Sequence, residues 1–323
     1  MKATIEPASS LAQHLDRVID AFDDELRSDL PFVNRLTARL REQRGKLLRP
    51  RLLLMSGQAV GDLREEHVIL SAVVEMVHMA TLVHDDVLDD AQVRRQNDTI
   101  NRLIGNEGAV LLGDYLISHA YHLCSRLKST HASRRIAAVT NTICEGELMQ
   151  IDNRGNLDLT REQYLDIIRR KTASLTSLCC ELGATAAGAD EAIVRHLSEF
   201  GLLVGMAFQI VDDLLDLTGS QDQTGKTVGR DAELGELTLP LICFLSEASS
   251  KDRARLIDAL SDGDPHKREA VRAVIAGSDC IDQAMETAQS YVRSALIHLN
   301  SLPDTEARSS LIAAAQFVLQ RRR

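Results

Sequence analysis

The chain has 323 residues, 44 % of them hydrophobic but only 3 % aromatic, with no Trp. It is long enough to bury a sizeable core, and the scarcity of aromatics disfavours β-sandwich and base-stacking architectures. Lys and Arg number 37 against 47 Asp and Glu, a net charge of −10. That gives no overall attraction for nucleic acid, so an anionic substrate must be met by metal cations or a local basic cluster. The six cysteines form no Cys-x-x-Cys pair and read as free thiols of a reducing cytoplasm. The first ten residues contain no apolar signal-peptide core, and no uninterrupted apolar run approaches the ~18 residues expected of a membrane span.

Helical periodicity recurs along the chain and strand alternation is almost absent, which predicts an all-α protein. Leu11, Leu15, Val18, Ile19 and Phe22 make a helical stripe. A second helix is expected over 33–41, then a break at 45–50, and a third helix over 51–60. Residues 68–83 are nearly all apolar, without Gly or Pro, and predict a long buried helix. It runs into four carboxylates in six positions, Asp85, Asp86, Asp89 and Asp90. Polar residues 93–99 read as a loop, 108–123 and 136–151 as helices, and 153–159 as a turn. Thr160 and Gln163 fit a capping box. The helix it opens passes Lys171 and Thr172 to about Leu182, followed by a small-residue stretch over 183–188. A helix from Glu191, or its continuation past Gly201 and Gly205, carries Phe208 to Asp216. Residues 218–235 are polar and Gly-rich, a candidate lid. Helices resume after Pro240, Pro265 and Pro303.

One acidic cluster is weak evidence, since a solvated helix end has the same composition. Asp85 and Asp89 nevertheless lie one turn apart on one face. The spacing Asp85-Asp86-x-x-Asp89 then recurs as Asp212-Asp213-x-x-Asp216 at the end of a second apolar run. Two hard-oxygen clusters suit Mg²⁺, which binds through a few carboxylates plus substrate phosphates. No Gly-x-x-x-x-Gly-Lys loop offers a nucleotide site. Lys46, Arg49, Arg94, Arg95, Lys171 and Lys226 supply the complementary charge for a second phosphate pocket bound by side chains.

These segments resemble the trans-type polyprenyl diphosphate synthases of the isoprenoid synthase superfamily. The resemblance rests on Gly45-Lys46-x-x-Arg49-Pro50, on Glu75-x-x-His78-x-Ala80-x-Leu82-x-His84-Asp85-Asp86-x-x-Asp89, on Arg94-Arg95, and on Asn106-x-x-Ala109-Val110-Leu111-x-Gly113-Asp114. It continues through Lys171-Thr172, Phe208-Gln209-x-x-Asp212-Asp213-x-x-Asp216, Gly225-Lys226 and Thr238-Leu239-Pro240. By length and these segments, the bacterial octaprenyl diphosphate synthases are the nearest subgroup.

The resemblance implies one domain over 1–323, a bundle of about ten or more helices around a central cavity. Residues 1–44 would be N-terminal helices, 45–240 the catalytic core and 241–323 C-terminal helices. It implies a cytoplasmic homodimer that joins an allylic diphosphate of farnesyl type to successive isopentenyl diphosphates, giving a long polyprenyl chain for quinone side chains. Three Mg²⁺ ions would be bound by Asp85, Asp89 and Asp212, supported by Asp86, Asp213 and Asp216. Arg94, Lys171 and Lys226 would hold the allylic diphosphate, and Lys46, Arg49, His78 and Arg95 the isopentenyl diphosphate. Thr172, Gln209 and the Lys171 carbonyl would steady the allylic cation. Small Ala80 and Thr81, one turn before Asp85, leave an open tunnel and so a product longer than farnesyl. Tyr115, Tyr121 and Met149 are candidates for its floor.

The chain departs from the family pattern at Leu47, Gln96, Arg230 and Glu236. The last two invert charge, and Arg230 is a candidate substitute for the cation expected at 236. The terminal Arg321-Arg322-Arg323 suits a helix C-terminus or reaches the diphosphates. A shorter-chain synthase of geranylgeranyl type, a class I terpene cyclase and a non-catalytic subunit of a heteromeric synthase are the alternatives.

Overall fold

The computed structural model of the chain describes residues 9–95, 97–219, 229–260 and 267–321. Helices α1 (Ser9–Glu25), α2 (Pro31–Glu42) and α3 (Leu48–Gln58) lead to α4 (Glu65–Leu88). Glu65 and Glu66 sit in the first turn of α4, where negative charge meets the positive end of the helix dipole. The His67 imidazole closes that end: its Nδ1 accepts from the Arg64 amide at 3.0 Å, and its Nε2 faces the Gly183 carbonyl at 3.1 Å.

Beyond its first turn α4 is apolar nearly all round. Val68, Val73, Val74, Val77 and Val83 are each at most 2 % exposed, and each such burial stabilises by about 1.5–3 kcal/mol. By length and composition α4 is a helix that could cross a membrane, yet most of it is buried inside this protein. It is wrapped by α1, α3 and two later helices, α5 (Ile100–Ser125) and α8 (Ser174–Ala187). Asp85 and Asp86 therefore lie within the helix, and Asp89 is its C-terminal cap.

The segment expected to be a plain loop holds a minimal antiparallel hairpin, β1 (Val93–Arg94) on β2 (Asn97–Asp98), with Arg95 at φ 51° in its turn. α5 begins earlier than its apolar stretch because Gly105, at φ 79°, joins a polar first part to the apolar second across a kink. α6 (Thr130–Asp152) follows. The capping box at Thr160 forms, its hydroxyl accepting from the Gln163 amide and its own amide donating to the Gln163 side chain.

The helix it opens, α7 (Arg161–Ile168), passes through a π-helical turn over Arg169–Ala173 and continues as α8. Expected to end near Leu182, α8 keeps its form to Ala187. At Gly183 a side chain would strike the Leu53 carbonyl of α3, so glycine here marks a close helix crossing rather than a helix end. α9 (Glu191–Thr218) is one continuous helix. Gly201 and Gly205 press on Thr176 and Ala173. In the candidate lid, residues 220–228 lie outside the described set, and a short helix, α10 (Arg230–Leu234), follows them. The chain closes with α11 (Leu239–Glu247), α12 (Ser250–Ala259), α13 (Lys267–Ile275), α14 (Cys280–His298) and α15 (Glu306–Gln320). α14 packs along α9, and α15 packs on both α3 and α9.

Candidate active site

The ends of α4 and α9 meet at one cleft. Asp89, Lys171, Thr172, Gln209 and Asp213 line it, with Gln150, Asn153, Tyr164, Asp231 and Glu236. The sequence motifs separated by more than a hundred residues thus face the same space.

Each aspartate of the first cluster has its own surroundings. Asp86 is buried, and one of its oxygens takes two bonds from the Arg94 guanidinium, at 2.8 and 2.7 Å. At Asp85 burial pushes the carboxyl up to about 7 despite the nearby Lys171 ammonium. Asp89 Oδ1 is 2.9 Å from Arg154 Nη2.

In the second cluster Asp212 meets Arg321 at 2.9 Å, and that guanidinium lies 4.0 Å over the Phe208 ring. Of the C-terminal arginines, Arg321 is the described one, and it reaches the site. Asp213 is buried; Tyr164 donates to it at 2.6 Å and the Gln209 amide at 2.7 Å. Burial pushes Asp213 up to about 7, against the pull of both hydrogen bonds. Asp216 accepts from the Gly229 and Asp231 amides at 3.0 and 3.2 Å, so it ties the described second part of the candidate lid to α9.

Lys171 and Thr172 sit on the π-helical turn. One extra residue in the turn re-aims side chains, a device common at functional sites. Lys171 Nζ pairs with Glu147 at 2.6 Å. Burial works against its charge, but Asp85, Glu147 and Glu236 outweigh burial and hold it protonated. Thr172 Oγ1 donates to Gln209 Oε1 at 2.8 Å. Thr172, Gln209, Asp213 and Tyr164 are therefore one hydrogen-bonded chain that fixes the Gln209 amide.

A second basic group forms around Glu75, a buried carboxyl that faces Arg49, Arg95 and Arg44. Burial raises its pKa and the three arginines counter that. Three cations on one carboxylate leave an excess of positive charge. Arg49 Nε is buried and makes no hydrogen bond among the described residues. Arg95 donates to the Gln43 carbonyl and lies flat on Gly45, where any side chain would collide with its guanidinium. This explains the glycine of the Gly45-Lys46 element. Lys46 is exposed, its ammonium 5.5 Å over Phe317. His78 is half-buried one turn before Leu82 on α4. Lys226 and Gln96 fall outside the described residues.

Ala80 is fully buried and Thr81 half-buried, its hydroxyl turned to the His78 carbonyl at 2.8 Å. Of the candidate floor residues, Tyr121 is exposed on this chain, which removes it as an interior plug. The charge-inverted positions resolve differently from expectation. Arg230 turns to Glu233 at 2.7 Å, and the cation at Glu236 is Arg154, 2.8 Å away. Sequence reasoning missed Arg154, Tyr164 and Glu147. Arg154 stands in the turn after α6, far from both motifs, and only tertiary structure brings it to Asp89.

A polyprenyl synthetase family model matches residues 31–277. The chain belongs to this family. It is 36 % identical over 315 residues to heptaprenyl diphosphate synthase component 2 of Bacillus subtilis, covering 97 % of this chain and 90 % of that protein. Octaprenyl diphosphate synthase of Escherichia coli is 32 % identical over 313 residues, 97 % of each chain. Among solved structures, a decaprenyl diphosphate synthase from Rhodobacter capsulatus superposes with a TM-score of 0.91 at 35 % identity over 98 % of both chains. A polyprenyl synthase from Caulobacter crescentus, solved with calcium and isoprenyl diphosphate, gives 0.92 at 32 % identity over 97 % of this chain and 96 % of the other.

Proposed function

We propose that this member of the polyprenyl synthetase family is a Mg²⁺-dependent trans-prenyltransferase that adds successive isopentenyl diphosphates to an allylic diphosphate and makes a long, octaprenyl-like chain. The observation that carries the reading is that Asp89 of the first aspartate cluster and Asp213 of the second line one cleft with Lys171, Thr172 and Gln209. The chemistry of the donor set fits the metal: each cluster groups hard carboxylates, and Asp85 is half-buried beside Asp89 and Glu147, a setting in which a bound cation would favour its charged form. Asp85, Asp89 and Asp212 would hold three ions, with Asp86, Asp213 and Asp216 in support. When bound, the metal offsets charge developing on the departing diphosphate.

The chain's own residues do the rest. Lys171 and Arg94, with Lys226, hold the allylic diphosphate by charge-assisted hydrogen bonds. Lys46, Arg49, His78 and Arg95 hold isopentenyl diphosphate beside it, with Arg49 offering an unused N–H. Fixing the two substrates side by side lowers the barrier through proximity. The Gln209 amide, locked by Thr172 and Asp213, presents its dipole toward the allylic carbon. The product tail runs from the metals along α4 past Ala80 and Thr81.

The remaining parts of the proposal are a single domain in which the segments 1–44, 45–240 and 241–323 cooperate, a cytoplasmic location, and a supply of quinone side chains. A second copy of the chain would cover the exposed apolar residues of α5 and α6, among them Leu111 at 68 % and Leu148 at 66 % exposure. The test is the purified chain alone with Mg²⁺, farnesyl diphosphate and labelled isopentenyl diphosphate, with product length read by chromatography. Elongation well beyond farnesyl is expected. Cyclic hydrocarbon would make it a cyclase, and a product of geranylgeranyl length a shorter-chain synthase. No turnover until a second protein is added would make it a subunit, the arrangement suggested by the name of its Bacillus relative.

A further inference from the structure

We infer that Arg154 is a movable cation of this site, seated on Asp89 when the site is empty and on the substrate diphosphate when it is loaded. The inference rests on the prenyltransferase reading. Its basis is the forked geometry of one side chain. Arg154 Nε is 2.8 Å from Glu236 Oε1, and Nη2 is 2.9 Å from Asp89 Oδ1. The other Glu236 oxygen accepts from the Gln150 amide. Glu236 is buried, whereas Asp89 and Arg154 each keep about a quarter of their side-chain surface in water.

The two contacts therefore differ. The bond to Glu236 is the fixed end: removing it would leave a buried carboxylate with the Gln150 amide as its remaining hydrogen-bond donor among the described residues and the Lys171 ammonium as a nearby counter-charge, which is costly. The bond to Asp89 is the exchangeable end, because that carboxylate is partly wet and is a candidate metal ligand. A cation that takes Asp89 evicts Nη2, which then has no carboxylate to return to. It stays tethered through Nε at the rim of the cleft that Lys171 also lines. A diphosphate placed there gives the freed N–H groups the bidentate anion that a guanidinium fits best. Glu236, an acidic residue where a cation was expected, thus serves as the holder of the cation instead of opposing it.

This makes metal and diphosphate binding cooperative. Metal alone must displace Arg154 without giving it a new partner. Metal with diphosphate supplies one. The coupling is reciprocal and can be read without turnover, using Mn²⁺ as the metal probe by electron paramagnetic resonance and inorganic pyrophosphate as the anion by calorimetry. In Arg154→Gln, Mn²⁺ alone should bind several-fold tighter, because Asp89 is released. Pyrophosphate at saturating metal should bind about tenfold or more weaker, the loss expected for a charge-assisted hydrogen bond. Arg154→Lys restores the charge but not the fork, so it should recover only part of the pyrophosphate affinity lost in Arg154→Gln, and it secures the test should the Gln variant fail to fold. Adding Glu236→Lys to Arg154→Gln should return pyrophosphate affinity to within a few-fold of the parent chain.

A purely structural Arg154 would weaken both ligands together on substitution, and an idle one would change neither; either result overturns the inference. If the unaltered chain itself binds no Mn²⁺ and pyrophosphate and elongates nothing, the prenyltransferase reading falls with it. If it does both while Arg154→Gln leaves the coupling intact, only the role of Arg154 is lost.

Discussion

Replacing Gly146 by Ala places a methyl group in the seam between α6 and the π-helical turn. A Cβ at Gly146 falls 2.6 Å from the Lys171 amide nitrogen and 3.0 Å from the Lys171 Cα, whereas ordinary contact begins at 3.4 Å. The obstruction is backbone, so it cannot rotate away. The seam must open by about 0.8 Å, the difference between 3.4 and 2.6 Å. Overpacking of this kind costs about 1–3 kcal/mol. The displaced segment carries Lys171 and Thr172, so their bonds to Glu147 and Gln209 must shift with it. A misplacement of about 1 Å at a reacting centre can cost ~100-fold in rate. We expect Gly146→Ala to lower the urea midpoint and to cut isopentenyl incorporation ten- to a hundredfold, with most of the loss in kcat. Gly108→Ala is the control, since its added methyl meets the flexible end of Ile104. Equal activity and stability in the two variants would refute the argument that Gly146 sets the position of the turn.

Three further outcomes are expected. Ala80→Tyr fills the buried wall one turn before Asp85 and should shorten the product to about farnesyl size; an unchanged product distribution would sink the tunnel assignment. Tyr164→Phe leaves a buried Asp213 oxygen without its donor and should destabilise the chain by about 1–3 kcal/mol, and Asp213→Asn should change that penalty in a double-mutant cycle. His67 is fully buried, and burial lowers its pKa below 6.5. Below that value the unfolded chain binds the proton first, so the contribution of His67 is complete above about pH 6.5 and is lost as pH falls toward the lower folded value. The urea midpoint difference between the parent chain and His67→Gln should therefore narrow between about pH 7.5 and about pH 5.5; a constant difference would mean that His67 is not buried as a neutral ring.

What could be read from sequence was what is written locally. The valine-rich run of α4, the capping box at Thr160 and the repeated aspartate spacing are each set by residues within a few positions of one another. What could not be read depends on partners far along the chain. Nothing in Arg169–Ala173 marks a π-helical turn, because it forms against Gly146 of another helix. Gly183, Gly201 and Gly205 read as punctuation but mark crossings, since glycine permits both and only the neighbour decides. Arg154 carried no local signal: its partners lie 65 and 82 positions away.

Those glycine crossings have a consequence for motion. α8 is gripped from two sides, with α3 backbone against Gly183 and α9 pressing on it through Gly201 and Gly205. Contacts at backbone level cannot yield by side-chain rotation, so α8 cannot slide between its neighbours without parting them. Amide hydrogens along 174–187 should accordingly exchange with solvent only through global unfolding. Any adjustment to substrates of different length then falls on the segments around this wedge, and the residues at 171 and 172, joined directly to its N-terminal end, keep the same place through every round of elongation.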